Sequence, residues 1–475
     1  MLNTLNDVLN NVDNFIWGMP LIILILFTGI LLTVRLRGLQ IRHLGKALHY
    51  VFHNEDDGEG EVTSFGALCT ALSATIGTGN IVGCATAIVA GGPGALFWMW
   101  LAAFFGMATK YAEGMLAVKY RVIAEDGHAL GGPFYYIEKG MGKNFKWLAK
   151  LFCIFGTMVG LFGIGTFTQV NGITSAVNNF FDSSNVHTIS LFGMNYSISV
   201  VVAGIIVTVC AGLVIIGGIK RISKVSEIIV PFMAVTYIGV CLLIVLTHLP
   251  QVPVAFGQII QSAFGLKAAA GGAIGAMTVA MQKGIARGIF SNEAGLGSAP
   301  IAAAAAQTNE PVRQGLVSMT GTFIDTIIVC TMTGLAIVMT GAWDMGLEGV
   351  AVTTKAFALG LPFPAKASAF VLMMCLVFFA FTTILGWAYY SERCLEYLVN
   401  GKKFVITVFK WLYILAVFIG PFMTVSAVWT IADICNGLMA FPNLVALLAL
   451  NGDVVSETRG YLERVGIVKT TVGEA

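Results

Sequence analysis

The run Ile76-Gly77-Thr78-Gly79-Asn80-Ile81-Val82-Gly83 places two hydrogen-bonding side chains among three glycines inside a long apolar stretch. A glycine in a helix interior costs about 1 kcal/mol relative to alanine, so this run predicts a helix that unwinds. Unwound backbone presents bare amides and carbonyls, which hydrocarbon cannot satisfy. The chemistry on offer is therefore binding. Amides at the start of a resumed helix hold a carboxylate, with Gly77, Thr78, Gly79 and Asn80 as its contacts. Carbonyls from Thr75 to Gly77 hold a cation. The alternative is that these small residues only allow close helix packing.

Further candidates lie along the chain. Gly271-Gly272-Ala273-Ile274-Gly275-Ala276-Met277-Thr278 predicts a second interruption, with Gly275, Met277 and Thr278 at the substrate, unless Gly271-Gly272 only starts the helix. The adjacent hydroxyls of Thr382 and Thr383 suit sodium, which takes hard oxygen ligands; threonine in a membrane helix also bonds its own backbone. Gln169 and Asn171 are neutral amides that are costly in an apolar span unless bonded, either to a substrate or to another helix. Trp387, one turn beyond Thr383, narrows the pocket, together with Met277 and Phe167. Asp325 and Asp433 are carboxylates inside apolar runs and so functional candidates by default, with paired structural acids as the alternative. Glu293, in Ser291-Asn292-Glu293-Ala294-Gly295, reads as a gate at the inner mouth working through Arg287 or Arg313, or as a solvated loop acid.

No Ser-His-Asp set, phosphate loop or metal-spaced histidine pair appears, which argues against an enzyme. The elements that must position these residues follow from composition. Hydrophobic residues fill 57% of 475 positions and charged residues 11%, and the mean hydropathy is +0.84. A soluble domain carries about a quarter charged residues, so the outer surface of this chain faces lipid. A net charge of +2 leaves no nucleic-acid footprint.

A helix needs about 20 apolar residues to cross hydrocarbon. Eleven such spans are predicted, at 16–34, 65–90, 95–120, 147–177, 198–218, 228–249, 268–290, 316–340, 367–390, 404–419 and 424–448. Cytoplasmic loops collect Lys and Arg. With the N-terminus outside, 24 of the 27 such residues are grouped inside, Lys110, Lys283 and Arg287 among them, and only Lys267, Lys355 and Lys366 fall outside. The C-terminus is then inside.

Setting the first span aside leaves ten, divisible into two five-helix halves of opposite threading, each opening on its glycine-interrupted helix. The segments are an extra helix and loop (1–64), a first repeat (65–249), a second (250–448) and a cytoplasmic tail (449–475).

Gly91-Gly92-Pro93-Gly94-Ala95-Leu96-Phe97-Trp98-Met99-Trp100, continuing to Gly106, is similar to a signature of the alanine or glycine:cation symporters. Gly77-Thr78-Gly79-Asn80-Ile81 and the segment from Arg287 through Ser291-Asn292-Glu293-Ala294-Gly295-Leu296-Gly297-Ser298-Ala299-Pro300 resemble further motifs of that family. The resemblance covers nearly the whole chain. It implies an all-α, leucine-transporter-type fold of 5+5 inverted repeats in the bacterial inner membrane. It also implies a monomer that carries alanine, glycine, D-alanine or serine inward with sodium. By position, Gly77, Thr78, Gly79, Asn80, Gln169, Gly275 and Thr278 would touch substrate, and Thr382 and Thr383 the ion. Proton coupling through Asp325 and a channel stay open as rivals, although a channel needs a continuous polar pore and these polar residues cluster at one depth.

Overall fold

A computed structural model describes residues 2–53, 58–124, 127–191, 194–265, 272–423 and 426–466. Lys267 and Gly271 lie outside the described residues. The apolar runs fold as helices because backbone removed from water must satisfy its own polar groups. An amphipathic helix, α1 (Leu2–Ile16), precedes α2 (Met19–Arg35), whose Pro20 sits in the first turn, where no helical amide partner is lost. Next comes α3 (Ser64–Thr75), capped by Thr63, whose hydroxyl accepts from Gly66 N at 2.9 Å. The chain leaves the helix at Ile76 and resumes as a π-helical turn, Gly79–Gly83, leading into α4 (Cys84–Gly91). The two arms diverge by 53°.

The succession continues through α5 (Ala95–Lys119), α6 (Lys146–Phe162), α7 (Phe167–Phe181), α8 (Ile198–Ile215) and α9 (Gly218–Thr247). Then follow α10 (Ala273–Asn292), the short α11 (Ala299–Ala303), α12 (Pro311–Thr340), α13 (Ala365–Leu398), α14 (Lys403–Ile419) and α15 (Ser426–Ala449). Among the described residues, eight helical stretches are long and apolar enough to cross a membrane, nine if the bent pair α3–α4 counts as one. The helices α5 and α10 are of similar length but carry Lys110, Glu113 and Lys119, and Lys283 and Arg287. Two antiparallel hairpins complete the fold, with Val122 opposite Leu130 and Thr188 opposite Ser197.

On the face where α2 ends, the hydroxyls of Tyr50 and Tyr461 meet at 2.6 Å, joining Leu44–Phe52 to Asn451–Arg464. The opposite face carries α1 and the C-terminal end of α4. A Cβ built on Gly91 would meet Lys283 Cβ at 3.3 Å, and Arg287 shares a cavity with Asp13 of α1. Both cations therefore lie toward the α1 face, which corrects their grouping with the opposite loops. Lys110 is not in a loop either: it is 3% exposed, within α5.

A second correction concerns the glycine run near 272–278. The helix α10 starts at Ala273, with Gly272 just before it, and is unbroken from there to Asn292, which is the alternative in which the glycines only start the helix. A Cβ on Gly275 would meet nothing within 4 Å. Ile274 is 72% exposed, and Thr278 donates to its own helix at Ile274 O. The break comes a full helix later, between Asn292 and Ala299.

Candidate functional site

Three elements meet at Gly77. A Cβ there would stand 2.5 Å from Thr383 Oγ1 of α13 and 3.6 Å from Gln169 Oε1 of α7, so only hydrogen fits. Thr383 donates its proton to Phe379 O at 3.0 Å, which leaves its lone pairs free to face another group. Gln169 is 2% exposed, and among the described residues its Oε1 has no hydrogen-bond partner. A buried acceptor left in this state costs about 1–3 kcal/mol, a deficit that an ammonium donor would remove.

Asn80 ties the unwound turn to the neighbouring helix. Its Oδ1 accepts from Gly77 N at 2.9 Å while Nδ2 donates to Asp325 Oδ1 at 2.8 Å. Asp325 lies in a second π-helical segment, Phe323–Cys330, and its Oδ2 also accepts from Ser291 Oγ at 2.9 Å and Thr326 Oγ1 at 2.7 Å. One carboxylate thus joins the first break, the end of α10 and the middle of α12. Wide turns of this kind are frequent at functional sites. The Ile81 carbonyl of the first one accepts from Thr353 Oγ1 at 3.3 Å.

The second break is built from different chemistry. Glu293, Gly295 and Gly297 take left-handed backbone, with φ of 56°, 90° and 84°. Such a conformation strains a residue with a Cβ by about 1–3 kcal/mol, and hydrogen bonds hold Glu293 in it. Its buried carboxylate accepts from Trp387 Nε1 at 3.0 Å and from the Ser298 hydroxyl. Gly295 N donates to Glu113 Oε1 at 3.1 Å, and Asn443 Nδ2 donates to that same oxygen at 2.6 Å and to Gly295 O at 2.9 Å. The two breaks touch: a Cβ on Gly79 would lie 3.4 Å from Ser291 Cα and 3.5 Å from the Phe290 ring.

The structure therefore gathers Gly77, Thr78, Gly79, Asn80, Gln169, Thr383, Asp325, Glu293 and Trp387 around the two breaks. Thr78 packs beside Gly172 of α7. Thr382 faces away, its hydroxyl 3.6 Å from Met233 Sδ. Thr75 donates to Ala71 O and lines a small cavity that also holds Lys110, whose charge disfavours a cation there. Asn171 accepts from Ser175 Oγ on its own helix. Gly275, Met277 and Thr278 lie toward the start of α10, two turns or more before its break. Glu293 is not a solvated loop acid, being 2% exposed, and its carboxylate accepts from Trp387 and Ser298. Of the arginines expected to work with it, Arg287 stacks 5.6 Å over Phe290 and Arg313 5.6 Å over Tyr50. Sequence reasoning missed Ser291, Glu113 and Asn443. The charge of Glu113 inside an apolar run was the available signal.

Two cavities flank this region. Toward the α1 face lies one of about 130 Å³, floored by Phe290. On the other side, Thr75, Lys110, Asn292 and Gln314 enclose about 20 Å³.

Residues 2–472 match the sodium:alanine symporter family. The chain belongs to that family. It is 46% identical over 465 residues to the sodium/alanine symporter AgcS of Methanococcus maripaludis, covering 96% of this chain and 97% of the relative. It is 55% identical over 466 residues, 98% of each chain, to a protein of Haemophilus influenzae named as a transporter. A probable sodium/glutamine symporter of Bacillus subtilis, GlnT, is 37% identical over 464 residues, covering 97% of this chain and 91% of its own. The family is one of symporters and not of enzymes, and the names of these relatives support a sodium-coupled amino-acid symporter. The chain is accordingly a multi-pass protein of the bacterial plasma membrane.

Proposed function

We propose that this chain carries alanine, glycine or a similarly small neutral amino acid into the cell with sodium, by alternating access. The observation that carries the reading is the cradle at Gly77, where the unpartnered Gln169 Oε1 and the Thr383 hydroxyl converge on unwound backbone. The substrate ammonium is given Gln169 Oε1, and its carboxylate the amides of the turn that resumes at Gly79. Sodium takes Thr383 Oγ1 and carbonyls around Gly77. Coupling follows, because the ion orders the same turn that receives the carboxylate. Asp325, accepting from three side chains, acts as the anchor of that turn; proton coupling through it is the competing role.

In the same reading, α5 and α10 join the nine apolar spans to give eleven crossings, with the N-terminus outside and the C-terminus inside. The five crossings from α3 to α9 and the five from α10 to α15 form repeats of opposite threading, matching segments 65–249 and 250–448. Each opens with a broken helix, which supports the pairing. The carrier works as a monomer.

Uptake of radiolabelled alanine into proteoliposomes tests this, with sodium replaced by potassium or choline and with glycine, serine, D-alanine and glutamine as competitors. Sodium-dependent uptake blocked by the small competitors is expected. Uptake that ignores sodium and follows a pH gradient would overturn the coupling.

A further inference from the structure

We propose that the cavity on the α1 face is a second binding site for a small zwitterionic amino acid, an outer station above Phe290. Its lining includes Asp13 and Trp17 from the N-terminal segment, Lys283, Arg287 and Phe290 from α10, and Asp433 from α15. Two cationic and two anionic side chains face the same space, so it is balanced in charge. Among the described residues, no ion pair joins Arg287 or Lys283 to either carboxylate. Among the described residues, Asp13 Oδ1 is shut off from solvent and has no hydrogen-bond partner. Arg287 lies over the Phe290 ring, at 5.6 Å.

These observations select the ligand. A lone metal cation would meet Arg287 and Lys283, and a lone anion would meet Asp13 and Asp433. A net-neutral molecule carrying both charges offers its carboxylate to the guanidinium, which suits that shape, and its ammonium to the acids. The volume of about 130 Å³ is several times the ~10–15 Å³ that a single water needs on the same measure, enough for alanine or glycine. Trp17 Nε1 donates to Asp433 O at 3.0 Å, which fixes the junction of α1 and α2 against α15 as one wall. The wall makes α1 part of the site, a role that no feature of the central cradle requires. Phe290 also touches Gly79, so it separates this station from the central cradle.

The inference rests on the amino-acid symport reading, and the test separates the two. Equilibrium binding of radiolabelled L-alanine to the purified full chain in sodium is measured beside proteoliposome uptake, for the parent, Arg287→Gln, Arg287→Lys and Asp13→Asn. The parent is expected to bind two alanines per chain, and Arg287→Gln and Asp13→Asn one. Arg287→Gln raises the half-saturating alanine concentration for uptake about tenfold, the scale of one lost charge-assisted hydrogen bond, while Arg287→Lys recovers most of it. The alanine that remains bound to Arg287→Gln reports that the variant is folded. If it binds none, Asp13→Asn, on the peripheral α1, decides. A parent that transports alanine but binds one per chain, or variants that keep two, overturns the outer station alone. A parent with no sodium-dependent alanine uptake overturns the symport reading itself.

Discussion

Trp387 donates its indole N–H to Glu293 Oε1 at 3.0 Å, linking the middle of the long helix α13 to the unwound turn after α10. A buried carboxylate in left-handed backbone is held by that bond and by the Ser298 hydroxyl. Replacing Trp387 by Phe removes one charge-assisted bond, worth about 1.5–3 kcal/mol. The expected result is a lower melting temperature in detergent and reduced alanine uptake. Glu293→Gln, which still accepts from the indole, is expected to melt closer to the parent. Equal melting of Trp387→Phe and the parent would contradict the link.

Gly77→Ala and Gly83→Ala form a matched pair. A methyl at Gly77 runs into Thr383 Oγ1, whereas one at Gly83 meets nothing within 4 Å. Overpacking costs roughly 1–3 kcal/mol, so Gly77→Ala is expected to lose most uptake while Gly83→Ala retains it. Comparable uptake in the two variants, measured at equal protein in proteoliposomes, would remove the cradle.

Thr383 faces Gly77, and Thr382 faces Met233. Thr383→Ala is therefore expected to raise the sodium concentration for half-maximal uptake about tenfold, the scale of a lost oxygen ligand of about 1.4 kcal/mol. Thr382→Ala is expected to shift it far less. Sodium titrations of uptake that put the larger shift on Thr382 would reverse the assignment.

Asp182, at the end of α7, accepts from Val186 N at 2.9 Å, from His187 N at 3.1 Å and from Ser197 Oγ at 3.0 Å. These bonds, the Val186 amide first, hold its carboxyl below the usual aspartate range. A lowered folded value stabilises the protein above the unfolded value, and that contribution disappears as pH falls through the folded one. Asp182→Asn should melt below the parent at neutral pH, and the difference should shrink in acid. A constant difference across that range would argue against the charge.

The first break was legible because its glycines enclose Thr78 and Asn80, so the sequence shows both the weakness and the groups that relieve it. The second was placed at Gly271–Thr278, where glycines are equally dense but the neighbours are Ala, Ile and Met. The one polar side chain there, Thr278, bonds its own helix at Ile274 O, and the chain is helical from Ala273 on. The true break has Ser291, Asn292, Glu293 and Ser298 alongside Gly295 and Gly297, a pairing of polar groups with glycine that separates it from the earlier run. Gln169 was readable as a costly buried amide. The charge of Glu113 was visible, but its pairing with Gly295, like that of Asn443, was not, because contacts across 182 and 148 residues of chain leave no local pattern. Apolar runs anticipated the long apolar helices, but loop charge could not tell that Lys283 and Arg287 line a cavity.

The cavity beside Thr75 and Asn292, at about 20 Å³, has room for about one water. An ion in transit needs a continuous file of solvent, and one molecule of it is a cork. The Lys110 ammonium stands in that chamber and repels any metal ion that gets so far. Among the described residues, this chamber by itself therefore offers no passage to a hydrated cation toward the face opposite α1.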